Sequence, residues 1–186
     1  MKTMFSVLCG LGCWWLGGGT AAMAGDGTVT NAAPVRIGVY DSRAVAYAHF
    51  SSEAGQGKLK AQTAAAQAAK RAGDTARFQS LAAALRQTQD QLHRQVFSTA
   101  PADDALAALQ GQIPEIEQSA GVATLVSKWD EAELKKHPNA EQVDVTGQLV
   151  AGFKPTAKQL KVIAELQKQK PLPLKKCDEL IRQGKI

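Results

Sequence analysis

The chain has 186 residues, with 22 Lys and Arg against 17 Asp and Glu, 45% hydrophobic residues, 5% aromatics and three cysteines. This is the size of one domain, and 21% charged residues excludes both a polytopic membrane protein and a highly charged disordered tail. Alanine is the commonest residue between positions 44 and 108, where bulky apolar residues are sparse. Such a stretch forms helix readily but buries little area per residue, so it does not supply the wide core of a catalytic pocket.

Lys2, an apolar run over 4–16 and Ala22-Met23-Ala24 make the charged, apolar and small-x-small sequence of a secretory signal. Residues 1–24 are expected to be cleaved, leaving 162 residues outside the cytoplasm. The run is too short and too broken by glycine for a transmembrane helix, and Gly-Leu-Gly before Cys13 is in the wrong order for a lipobox. Cys9 and Cys13 leave with the signal, so no disulfide framework remains. Cys177 stays alone, either a thiol for an intermolecular bond or a tolerated surface cysteine in a frayed tail; with no His near it in sequence, the second reading is favoured.

Residues 25–34 are polar and turn-rich, a flexible leader. Val35-Arg36-Ile37-Gly38-Val39-Tyr40 alternates as a short strand, and Asp41 or Ser42 caps the helix that follows. From 43 to 72 no proline occurs, predicting one helix of about 30 residues, weakened at Gly55 and Gly57. Gly73-Asp74 reads as a helix stop and a new N-cap. Over 75–98, Phe78, Leu81, Leu85, Thr88, Leu92 and Val96 recur at steps of three and four, the seam of a narrow helical hairpin. Pro101, Asp103 and Asp104 restart a helix that kinks at Pro114 and ends at Ala120-Gly121. Residues 122–129 read as a second strand and 131–136 as a charged edge strand. A short helix follows through Phe153, capped by Asp144 or Thr146.

Residues 154–186 differ in character, holding nine basic side chains against three acidic ones. A helix over 156–170, an extended Pro171-Leu172-Pro173-Leu174 and a further helix over 175–183 are predicted. The bland reading is a solvated appendage; the sharper one is contact with an anionic membrane surface, lipopolysaccharide or an acidic client.

Catalytic patterns are missing. His49, His93 and His137 have no metal-pair spacing, and no HExxH, G-x-S-x-G or CxxC occurs, so neither metal nor other cofactor is expected. Gly57-Lys58 lacks the earlier glycine and the following Ser or Thr of a phosphate loop. Asp103/Asp104 and Glu115/Glu117 lie at helix starts, where capping accounts for them. Neither an enzyme nor a nucleic-acid binder is expected.

Two segments, Arg36-Ile37-Gly38-Val39-Tyr40-Asp41 and residues 116–126 (IEQSAGVATLV) with 143–153 (VDVTGQLVAGF), resemble the Skp/OmpH-like family of periplasmic chaperones. They cover 28 residues; the hairpin between them agrees in composition and placement only. The resemblance implies an ATP-independent holdase for unfolded outer-membrane proteins, located in the periplasm. It also implies a homotrimer whose short strands form a common β body with helical arms projecting from it. No individual client-binding residue carries over, because the arm matches no motif. The fold expected is α+β, mainly α: a small β body completed by oligomerisation, and a long antiparallel helical hairpin arm over about 43–120. The Skp/OmpH-like domain spans 35–153 and the basic extension 154–186. The competing reading is a non-catalytic envelope adaptor docking through that extension.

Overall fold

The computed structural model describes residues 34–186; the predicted signal at 1–24 and nearly all of the leader lie outside the described residues. The fold is α+β and mainly helical, around one three-stranded sheet. Strand β1 (Arg36–Tyr40) is central, flanked by β2 (Leu125–Ser127) and β3 (Glu141–Asp144). Both neighbours pair parallel to β1, with Val39 opposite Val126 on one side and Asp144 on the other. All three strands come from one chain, and their carboxyl ends lie together.

A central parallel strand is covered on both faces, so simple alternation fails: Ile37 and Gly38 are buried in succession. Gly38 is required by crowding. A Cβ there would stand 2.8 Å from Leu125 Cδ2, 3.1 Å from Val145 Cγ2 and 3.2 Å from Val122 Cγ2.

The predicted helix over 43–72 is two helices, α1 (Ser42–Ser51) and α2 (Glu53–Arg71). Asp41 caps the first by accepting from Arg43 N. The break falls at Ser52, whose extended backbone ends α1 while its Oγ accepts from Gly55 N to cap α2. Gly55 sits against this junction: a Cβ would meet His49 O at 2.5 Å and Phe50 O at 2.8 Å, whereas Gly57 has open space. Gly73 takes the left-handed conformation, φ 71°, and Asp74 caps α3 (Thr75–Phe97), which packs along α2 and α1.

The next predicted helix is likewise two pieces, α4 (Asp103–Ala108) and α5 (Ile113–Ala120). Pro114 occupies the first turn of α5, where its missing N–H costs nothing, and Gly121 ends that helix with φ 63°. Residues 131–136 are not an edge strand. Asp130 accepts from Glu133 N and starts the short helix α6 (Glu131–Leu134), leaving Glu141–Asp144 as the outer strand. The second strand is also shorter than the predicted 122–129.

Asp144 Oδ1 accepts from Thr146 N at the start of α7 (Thr146–Ala151). Helix α8 (Ala157–Lys168) opens with a capping box between Thr156 and Gln159, and α9 (Leu174–Arg182) follows. These last helices are docked, not solvated. Helix α8 packs on α1 and buries Ile163, while α9 packs on α3 and buries Cys177. Leu172 between them bridges to Ser98. The core lies where α1, α4 and α7 meet β1, built from Val45, Leu109, Val145 and Leu149, each at most 1% exposed.

Candidate functional site

In an open parallel sheet the carboxyl ends of the strands are the usual place for a ligand, particularly beside a strand whose neighbours are reached in opposite directions. Here that place is held by Asp41, fully buried after β1. Its Oδ1 accepts from Arg43 N at 3.1 Å, Arg43 Nε at 3.2 Å and Trp129 Nε1 at 3.1 Å. Its Oδ2 accepts from Arg43 Nη2 at 3.0 Å and lies 2.8 Å from Lys128 Nζ. A carboxylate offers about four lone-pair sites, so these donors saturate it.

Other bonds extend the cluster. Asp41 N donates to Thr146 Oγ1 at 2.9 Å, joining β1 to the end of β3, and Arg43 Nη1 donates to Gln169 O at 2.9 Å, just beyond α8. Trp129 lies beneath two cations, Lys128 Nζ at 4.8 Å and the Arg43 guanidinium at 5.0 Å from the ring centroid. Burial alone would raise the Asp41 pKa, but the hydrogen bonds from Arg43, Lys128 and Trp129 outweigh it and hold the carboxyl below its usual range. With its acceptors spent, Asp41 acts as a clasp on the strand ends. Reading Asp41 as a helix cap captured one of its bonds; the Asp-x-Arg spacing and the later Lys-Trp pair were the sequence signal for the others.

Open space lies elsewhere. A groove of about 810 Å³ sits at the root of the α2–α3 pair, lined also by the end of α1 and by α4. Its apolar lining includes Phe50, Leu59, Leu85 and Leu92, and its charged groups are Lys58 and Asp104. Asp104 is engaged by Gln91 Nε2, whereas Lys58 forms no ion pair among the described residues. His49 also lines the groove, with its Nδ1 buried and without a partner. Burial and then Lys58 lower the His49 pKa against a weaker opposing effect of Asp104, which favours the neutral imidazole. A second groove, about 690 Å³, lies between α7 and α8.

The three histidines stay in separate surroundings: His49 at the groove, His93 beside α9, and His137 paired with Glu133 beyond α6. Among the described residues no group of three or more His, Cys, Asp or Glu is placed to hold a metal ion. Gly57-Lys58 lies within a helix, and Lys58 belongs to the groove wall. Asp103 and Asp104 occupy the first turn of α4, and Glu115 that of α5.

Cys177 is neither at the surface nor in a frayed tail. It is fully buried, its Sγ 3.8 Å from His93 O, and burial followed by Asp178 raises its pKa. No described helix is long and apolar enough to cross a membrane. No protein-family model matches the chain, and neither a curated protein nor a solved structure shows significant similarity to it.

Proposed function

We propose that the protein is an ATP-independent holdase of the periplasm that keeps unfolded outer-membrane proteins soluble, acting as a homotrimer without chemistry. The observation that carries this reading is how little the α2–α3 pair buries. Of the 19 residues of α2 only Ala66 and Ala69 are buried, and of the 23 of α3 only Gln95 and Val96. A helical hairpin arm so thinly packed gains little stability from its own chain, and outside the part of α3 covered by α1 and α9 it is free to touch something else. Its seven basic side chains against three acidic ones between 48 and 99 suit many weak contacts with a non-native chain.

The test is dilution of a urea-unfolded outer-membrane β-barrel protein into buffer with the mature chain at near-stoichiometric ratio, followed by light scattering. Suppressed scattering is expected; aggregation at the unassisted rate overturns the reading. Sedimentation of the same sample tests the trimer, and a monomeric mass removes it.

A second reading is supported by α8, which leaves Leu160 47% and Val162 40% exposed close to the exposed Lys158 and Lys161. Exposed apolar side chains among lysines suit docking on an anionic membrane surface or lipopolysaccharide. Salt-sensitive flotation with anionic vesicles, lost in a Lys158→Glu/Lys161→Glu variant, is its expected signature; equal flotation of that variant counts against it.

A further inference from the structure

The groove at the arm root has a lining that selects among occupants. Phe50, Leu59, Leu85 and Leu92 are only partly covered by the chain itself, and Leu59 remains 38% exposed. Beside them Gln62 and Gln89 make no side-chain hydrogen bond within the described residues, and each offers both a donor and an acceptor. A lining that mixes apolar side chains with unengaged amides matches the alternation of side chain and peptide group along an extended polypeptide.

Charge narrows the choice. Neither charged group of the groove has an ion-pair partner among the described residues, but Asp104 is hydrogen-bonded by the neutral amide of Gln91 whereas Lys58 is bound by nothing, on an arm that is basic as a whole. The volume of about 810 Å³ falls within the range of about 300–1,000 Å³ common for ligand sites.

Building on the holdase reading, we infer that this groove is a discrete client subsite within a single chain, taking an extended segment in which leucine- or phenylalanine-type side chains neighbour a carboxylate. The apolar side chain fills the space between Leu59 and Leu92, backbone groups meet the free amides of Gln62 and Gln89, and the carboxylate pairs with Lys58.

The experiment uses the mature chain and fluorescein-labelled ten-residue Gly/Ser peptides carrying two Leu and two Glu, with control peptides in which Lys replaces Glu or Ser replaces Leu. Fluorescence anisotropy is expected to show the Leu/Glu peptide binding about tenfold more tightly than either control. Lys58→Glu should invert the preference between the Glu and Lys peptides, and Leu59→Gln should weaken both. Both positions are exposed, and circular dichroism checks that the variants fold. Equal affinity for all peptides, or affinities untouched by both substitutions, overturns the subsite. If wild-type protein suppresses aggregation while the peptides fail to bind, the subsite falls and the holdase reading stands. Wild-type protein that leaves aggregation unchanged removes that reading and this inference with it. Loss of the oligomer in Leu59→Gln, without any peptide binding, identifies a second copy of the chain as the occupant and overturns the proposal.

Discussion

Asp41 meets two cations of unequal consequence. Arg43 is almost wholly buried, its side chain 2% exposed, while Lys128 is 35% exposed and partly screened by water. Replacing Asp41 by Ala leaves the guanidinium buried without its counter-ion, and the expected loss is about 3–5 kcal/mol in a urea melt. Lys128→Met should cost at most about 1 kcal/mol, because a partly exposed pair contributes little. The same carboxylate confers a pH dependence. Its folded pKa is lowered, so its contribution is present above the unfolded value of about 3.9 and is lost as pH falls through the folded value. Acid melts of wild type should therefore steepen below about pH 4, and the Asp41→Ala variant should lack that component.

At the scale of elements, the two glycines of α2 look alike in sequence and differ in space. Gly57→Ala meets nothing within 4 Å and should stabilise α2 by about 0.5–1 kcal/mol. Gly55→Ala drives a methyl group against the carbonyls of His49 and Phe50 and should destabilise the protein, opening the α1–α2 junction. Paired thermal melts giving shifts of the same sign would contradict this. The example shows what periodicity could read. The strand before Asp41, the Gly73-Asp74 reversal, the long α3 and both late helices follow from local capping and apolar spacing. The break at Ser52 does not, because it depends on a hydroxyl bond and a close helix approach. The exchange of a strand at 131–136 for one at 141–144 turned on which segment reaches β1, a contact about 100 residues away in the chain. For the same reason the groove was invisible: only folding brings Lys58, Leu92 and Asp104 to one place.

For the whole molecule, the last 33 residues belong to the folded body. Helix α8 contributes buried Ile163, worth about 1.5–3 kcal/mol, and Gln159 Nε2 donates to Ser51 O at 2.6 Å to close the end of α1. Helix α9 contributes Cys177 and the Arg94–Asp178 pair. A chain ending at Phe153 should lose its cooperative melt by circular dichroism, and an unchanged melting temperature would refute the integration of these helices. Tests of the basic segment therefore call for charge reversal at exposed lysines instead of deletion. The clasp also sets an order of events in time. Arg43 finds Gln169 O across 126 positions, and β1 finds both its partners only after α2 and α3 have been synthesised. Contacts so distant make folding slow, and they deny a partly made chain any stable sheet. The helices α1 to α3 can pack early, whereas the sheet and its clasp close only when most of the sequence has emerged.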